Sequence, residues 1–136
     1  MATKADARAR AALGVPLLRF LGASLVDDED PAAGIALVAG EQSVNAVDFL
    51  HGGAISTILD VAAYLSLLHD LDDDEEAITH ALFVSYLTAV EGEAHLVATG
   101  RVVRRSKRLA FVNSELRDQD RLVATAQVTK SVVSGR

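Results

Sequence analysis

One carboxylate, Asp60, stands in a run of otherwise apolar or small residues, and two glycines, Gly52 and Gly53, stand where that run begins. If the run is a helix, burying the Asp60 charge is costly unless the carboxylate is paired or used. The same helix would begin with backbone N–H groups that lack a partner within the helix and favour an anionic ligand. A buried acid behind such a helix start outlines an active site, with Asp60 as a candidate general base.

Each of these residues also has a structural interpretation. Asp60 would then be bonded to a neighbouring hydroxyl or to another subunit, and the glycines would be ordinary turn residues. In the catalytic interpretation, Gly52 and Gly53 let a ligand approach the backbone and offer N–H groups to a developing oxyanion. His51 precedes them, and a lone histidine is more often structural than catalytic. Metal binding is not expected, because the four histidines show no ligand spacing: His51, His69, His80 and His95.

The run itself predicts a long helix over residues 52–68. It has no interior proline, and apolar residues occupy nearly all of its sides, which is typical of a buried helix. Helical spacing also brings four polar residues together as a narrow stripe: Ser56, Thr57, Asp60 and Tyr64. This stripe is the part of the helix that could carry chemistry.

The rest of the chain must supply the surroundings of that helix. Alternating apolar and polar residues, separated by short gaps, predict four antiparallel strands over residues 77–88, 95–104, 109–118 and 122–133. Upstream, the patterns predict a helical segment in residues 1–22 interrupted at Gly14 and Pro16, a turn over 27–31, and strands over 34–40 and 41–45. An α+β fold follows, in which an antiparallel sheet of five to six strands wraps one long central helix.

Composition narrows the class of protein. The 136 residues predict a single domain, and the absence of cysteine excludes disulfides and thiolate metal sites. A net charge of −6 argues against general nucleic-acid binding. No uncharged apolar run is long enough to predict a membrane span. The N-terminal residues lack a sustained apolar signal core, so a cytoplasmic location is expected.

Beyond these physical arguments, the segment from Asn45 to Asp60 resembles the active-site segment of hotdog-fold acyl-CoA thioesterases, in the 4-hydroxybenzoyl-CoA thioesterase superfamily. The pattern is an Asn six positions before His-Gly-Gly, followed by an acid nine positions after the His. The closest branch is the phenylacetate-pathway and human THEM-type one. Segments downstream resemble the strands of the same family: Val84–Thr88, Val102–Phe111 and Leu122–Ala126. The resemblance covers residues 15–133 and implies a single hotdog domain.

The resemblance implies a role for each matching residue. Asp60 would activate water as the general base or attack the thioester directly, and the N–H of Gly52 or Gly53 would polarise the thioester carbonyl. Asn45 would orient the water or the acyl group, and His51 would support the leaving thiolate or the oxyanion loop. Thr88 stands where relatives often carry a serine that positions water. No metal or redox cofactor is implied.

The family also predicts how the molecule assembles and binds its substrate. Such sites lie between subunits, so a homodimer, often paired into a homotetramer, would set Asp60 against the Asn and glycines of a partner. A basic block at a hairpin turn would reach the phosphates of CoA, through Arg104, Arg105, Lys107 and Arg108. The alternative for this block is a solubilising hairpin tip.

Two positions depart from the family pattern. Relatives commonly have Gly at position 48, where this chain has Asp48, and Asp tolerates a positive φ less well than Gly. Ala89 replaces a common Pro. The sequence therefore predicts an acyl-CoA thioesterase, with two alternatives: a hotdog protein that binds acyl-CoA or an acyl carrier without hydrolysis, and, less favoured, a hydratase or dehydratase.

Overall fold

The computed structural model describes residues 2–135. Two short helices open the chain, α1 (Lys4–Leu13) and α2 (Pro16–Leu21). Thr3 and Asp6 form a capping box at the start of α1. Gly14 ends α1, and Pro16 begins α2, because proline suits a first helical position and lacks the N–H that a continuing helix needs. Both helices lie within the segment predicted to be helical, and the break between them falls between Gly14 and Pro16.

Within residues 2–135, the strands that follow form a six-stranded antiparallel sheet in the spatial order β1-β2-β4-β5-β6-β3. The strands are β1 (Ser24–Leu25), β2 (Ile35–Val38), β3 (Glu75–Tyr86), β4 (His95–Arg105), β5 (Leu109–Asp118) and β6 (Arg121–Ser134). The four long strands agree with the predicted ones to within two residues at either end, because their alternating pattern extends over ten or more residues.

One predicted strand, over residues 41–45, is wrong. Residues Glu41–Ser43 form a turn of 3₁₀ helix instead. The Ser43 backbone N–H donates to the Gly40 carbonyl at 2.9 Å, and the Ser43 hydroxyl accepts from the Gly40 N–H at 3.0 Å. A serine that satisfies the backbone locally competes with strand pairing, and such a bond is not visible in a pattern of apolar residues.

The long helix α3 (Gly52–Leu67) packs against the concave face of the sheet and is followed by a 3₁₀ turn over Leu68–Asp70. Eight of its sixteen residues are buried, including Ile58, Leu59 and Leu65 with no exposed surface. By length and composition, Gly52–Asp70 is apolar enough to cross a membrane. In this fold the apolar side chains of the helix pack against the sheet. Full burial of each large one stabilises the folded state by roughly 1.5–3 kcal/mol.

Helix α3 approaches strand β4 closely at Gly100. A Cβ atom added there would lie 2.7 Å from both the Ala62 carbonyl oxygen and the Ser66 hydroxyl. No side chain fits, so the glycine is what lets the helix rest directly on the sheet. The result is a sheet curled around one central helix, which is the hotdog fold that the resemblance implies.

Strand β3 forms one edge of the sheet, and among the described residues it pairs with β6 alone. It is twelve residues long. Several large apolar side chains along it are exposed: Ile78, Leu82, Phe83 and Tyr86. Long apolar edges with unpaired backbone groups are templates for pairing with another strand.

Candidate active site

The polar stripe of α3 faces strand β3. At the start of the helix, the Ser56 hydroxyl lies 2.6 Å from the Tyr86 hydroxyl, and at its end the Tyr64 hydroxyl donates to Glu76 at 2.9 Å. Burial and this bond raise the pKa of the Tyr64 hydroxyl, which therefore stays protonated. Thr57 turns back into the helix and donates to the Gly53 carbonyl.

Asp60, the acid of the stripe, is held by two side chains on different strands. The Thr79 hydroxyl of β3 donates to Asp60 Oδ1 at 2.7 Å, and Lys130 Nζ of β6 donates to the same oxygen at 2.9 Å. The Asp60 side chain keeps 29% of its surface exposed, whereas that of Lys130 keeps 3%. Oδ2 has no partner within residues 2–135, so one carboxylate oxygen is fixed and the other is open.

Sequence reasoning missed both partners of Asp60. Lys130 did leave a signal, because it alternates with Val128 and Val132, which are both buried and so mark the inward face of β6. A lysine at an inward strand position is almost never buried without a partner. Thr79 left no comparable signal, since it is one of two small polar residues on an edge strand, with Ser85.

The backbone N–H groups of the two glycines at the helix start differ in their hydrogen bonding. Gly53 N–H donates to the ring nitrogen Nδ1 of His51, the N-cap residue, at 2.8 Å. The N–H of Gly52 donates to no group in residues 2–135. Because Nδ1 accepts, the proton of a neutral His51 ring is assigned to Nε2, which can donate outward from this exposed side chain. Gly52 and His51 thus present two N–H donors.

A cavity of about 380 Å³ opens at this helix start. Three of the predicted residues line it: Asn45, Gly52 and Thr88. Aromatic and apolar side chains complete the wall: Phe49, Leu50, Ile55, Tyr86, Leu87 and Ala89. The Tyr86 ring lies next to Gly52, where an added Cβ would be 3.3 Å from it. Asp60 does not line this cavity.

Asn45 and Thr88 are both tied to the backbone. The Asn45 Oδ1 accepts from the N–H groups of Val47 and Phe49 at 3.0 and 3.1 Å, which closes the loop before α3. The Thr88 hydroxyl donates to the Leu122 carbonyl at 3.1 Å. The hydroxyl next to Asp60 in this chain is therefore that of Thr79.

Asp48 adopts the left-handed conformation, with φ of 64°. It lies in the loop that Asn45 closes, and its N–H donates to the Asn45 carbonyl at 3.0 Å. Glycine adopts this left-handed conformation with less strain than Asp does, which explains the Gly of the family pattern at this position.

We expect Asp48→Gly to raise the free energy of unfolding by about 0.5–1 kcal/mol, because the left-handed strain of a side chain disappears. Urea unfolding of both proteins measures the change. Asp48→Asn is the matched control and should be nearly neutral, since Asn also tolerates this conformation. A less stable Asp48→Gly protein would mean that the Asp48 side chain itself stabilises the loop.

The basic block divides into one paired and three exposed residues. Arg105 Nη2 lies 2.6 Å from Glu75 Oε1, and both side chains are largely buried. The hydrogen bond from the Asp72 backbone N–H lowers the pKa of the Glu75 carboxyl below its ordinary value, and the bond and charge of Arg105 lower it further. The three exposed residues surround the β4–β5 turn: Arg104, Lys107 and Arg108. Arg105 is thus already bound within the chain.

A larger concavity, about 500 Å³, lies on the outer face of the sheet across β3 to β6. Its lining includes Phe83, Arg101 and Glu115. None of the predicted site residues contributes to it. The chemistry-bearing residues instead lie along the inner side of the β3 edge and at the start of α3.

The family model of the thioesterase superfamily matches residues 48–130, more than half of the chain. The chain belongs to the thioesterase superfamily. The matched region begins at Asp48, includes all of α3 and reaches Lys130, so it contains both the helix start and the ion pair of Asp60. No curated protein matches the sequence of this superfamily member.

Solved structures share its fold over nearly the full length. A phenylacetic acid degradation-related protein from Ralstonia eutropha is 28% identical, with a TM-score of 0.75, over 90% of this chain and 96% of that one. A Bacillus halodurans protein solved with CoA is 23% identical, with a TM-score of 0.80, over 93% and 82%. Zebrafish thioesterase superfamily member 2 is 21% identical, with a TM-score of 0.77, over 93% and 94%.

Proposed function

We propose that this superfamily member is an acyl-CoA thioesterase that hydrolyses an acyl- or aryl-CoA thioester to the free acid and CoA. The observation that carries the proposal is the Asp60 carboxylate, which is bonded on Oδ1 and has no partner on Oδ2 among the described residues. A partly exposed carboxylate with one free oxygen can accept a proton from water or attack a carbonyl carbon.

In the proposed reaction, the N–H of Gly52 donates to the thioester carbonyl oxygen and stabilises the negative charge that develops there. Asp60 Oδ2 either takes a proton from the attacking water or attacks the carbonyl carbon, forming an anhydride that water then hydrolyses. In both routes the C–S bond breaks and the thiolate of CoA leaves. His51 Nε2–H would support that thiolate, while Asn45 and Thr88 would orient the acyl group and the water.

The two halves of this site are far apart within one chain. Gly52 and Asp60 are eight residues apart on α3, about 12 Å along the helix axis. The bonded hydroxyls of Ser56 and Tyr86 fill the stripe between them. Direct attack at a carbonyl polarised by Gly52 therefore favours an Asp60 from a second copy of the chain.

The exposed edge of β3 offers the way to bring a second copy close. Thr79 contacts Asp60, and Tyr86 donates to the Gly52 carbonyl, so these β3 residues mark the two halves of the site. Antiparallel pairing of β3 with its copy, centred between Leu82 and Phe83, would set Thr79 opposite Tyr86 of the other chain. A homodimer of this register, alone or paired into a homotetramer, would complete two equivalent sites.

Binding of CoA is proposed at the basic hairpin tip. Arg104, Lys107 and Arg108 are exposed there and can bind phosphate groups. The resemblance also assigns Arg105 to CoA. To bind phosphate, Arg105 would first have to break its ion pair with Glu75; otherwise it would orient the hairpin. The Bacillus halodurans relative solved with CoA supports CoA as the carrier of the substrate.

The test is release of free thiol from a panel of acyl- and aryl-CoA thioesters, ranked by kcat/KM. We expect thiol release that depends on the protein and saturates with at least one thioester. Saturable binding of the same thioesters without thiol release would contradict hydrolysis and would instead support a hotdog protein that binds acyl-CoA. Free CoA and the corresponding oxygen esters are the controls for binding and for general esterase activity.

A further inference from the structure

The ammonium group of Lys130 is a buried cation that donates hydrogen bonds to Asp60 and to its neighbour Thr79. Lys130 is 2% exposed, and Nζ donates to Asp60 Oδ1 at 2.9 Å, to Thr79 Oγ1 at 2.7 Å and to the Asp60 carbonyl at 3.4 Å. An ammonium has three donors, so this arrangement uses all of them. The Tyr64 ring, with its centroid 5.7 Å from Nζ, lies against the same charge.

Thr79 links the lysine and the carboxylate a second time. Its hydroxyl accepts a hydrogen bond from Lys130 Nζ and donates one to Asp60 Oδ1. Oδ1 therefore receives two donors from two different strands, while Oδ2 receives none within residues 2–135. Two fixed donors on one oxygen define the rotation of the carboxylate plane as well as its position.

Stability alone is a poor explanation for this pair. Burying two charges is costly, and apolar residues of the same volume often serve a fold as well or better. Val128 and Val132, the inward neighbours of Lys130 on β6, show what the core accepts at such positions. A carboxylate that must present one oxygen to a reacting group, by contrast, needs supports that restrict its motion.

We propose that Lys130 is a positioning residue that acts on thioester hydrolysis only through Asp60, by holding Oδ1 and turning Oδ2 toward the substrate. The inference rests on the proposed function, because it takes Asp60 as the reacting carboxylate. Lys130 itself touches no substrate, and Thr79 is the second support of the same oxygen.

The test is a double-mutant cycle of Lys130→Met with Asp60→Asn. Methionine keeps the length of the buried side chain and removes its charge. In the wild-type background we expect Lys130→Met to lower kcat by roughly 10–100-fold, with KM changed by less than about threefold, as misplacement of a reacting group does. In the Asp60→Asn background, the same substitution should change the residual rate by less than about twofold.

Two further variants make the cycle decisive. Lys4→Met, the same change at an exposed lysine of α1, is the matched control and should keep wild-type kinetics. Thr79→Val removes the second support at an exposed position, so it tests the same idea if Lys130→Met fails to fold. We expect Thr79→Val to lower kcat in the same direction, again with little change in KM.

The outcomes separate the inference from the proposed function. An active wild-type protein whose Lys130→Met variant folds and keeps its kcat, or shows equal losses in both Asp60 backgrounds, overturns the inference and leaves thioesterase activity standing. If Lys130→Met does not fold, an unchanged kcat in Thr79→Val overturns it. A wild-type protein that hydrolyses no thioester overturns both proposals together.

Discussion

Asp60→Asn is expected to lower kcat for thioester hydrolysis by roughly 10²–10⁴-fold while the fold and the oligomer persist. An amide neither accepts a proton from water nor attacks a thioester, so both proposed routes lose their reacting group. The Asn oxygen can still accept from Thr79 and Lys130, which keeps the local packing. Initial rates of thiol release, together with the elution volume on a sizing column, measure the two parts of the expectation.

The matched control for this substitution is Asp70→Asn, the same change at an exposed acid in the turn that follows α3. It should keep wild-type kcat and KM. Near wild-type turnover in Asp60→Asn would contradict the assignment of Asp60 as base or nucleophile. A single turnover in ¹⁸O-labelled water separates these two roles, since a nucleophilic carboxylate transfers its own unlabelled oxygen to the first product when water attacks the aspartyl carbon.

The second large effect is expected from Gly52→Pro, which deletes the backbone donor proposed to polarise the carbonyl. Gly52 is the first residue of α3, where proline is well tolerated, and His51 before it has the extended conformation that proline requires (φ −67°, ψ 135°). Loss of one oxyanion donor should lower kcat by roughly 10²–10³-fold. Gly52→Ala keeps the N–H and is the matched control, because both new side chains meet Tyr86.

Comparable kcat losses in Gly52→Pro and Gly52→Ala would mean that contact with Tyr86, and not the missing N–H, causes the effect. A wild-type kcat in Gly52→Pro would contradict the role of this N–H outright. Circular dichroism and thermal unfolding of both variants show whether the helix content and the stability of the fold are retained.

These two variants, both expected to lose most of their activity, also test whether the site is shared between subunits. In a homodimer with shared sites, a mixed dimer of Asp60→Asn and Gly52→Pro chains has one intact site and one doubly altered site. Random mixing would therefore restore roughly a quarter of wild-type activity. Co-expressed, differently tagged chains provide the mixed dimer. No restored activity in a purified mixed dimer would mean that each chain carries its own complete site.

The sequence was informative wherever a structural signal is local and repeated. The apolar sides of residues 52–68 and the alternation along the four long strands predicted α3 and β3 to β6 closely, because burial repeats at fixed intervals in helices and strands. It failed at Glu41–Ser43, where one hydrogen-bonded serine decides the backbone path. The short strand β1, only two residues long, carries too little pattern to be predicted.

For the candidate site, the sequence by itself determined which residues could do chemistry: a lone acid on an apolar helix, two glycines at its start, and a histidine before them. Only the tertiary structure decided how each is used. Lys130 lies seventy residues from Asp60, and no spacing rule joins a helix to a strand across that separation. The His51 ring accepts from the Gly53 N–H and, across the described part of the chain, no group accepts from that of Gly52; the orientation of the His51 side chain in the folded loop decides this.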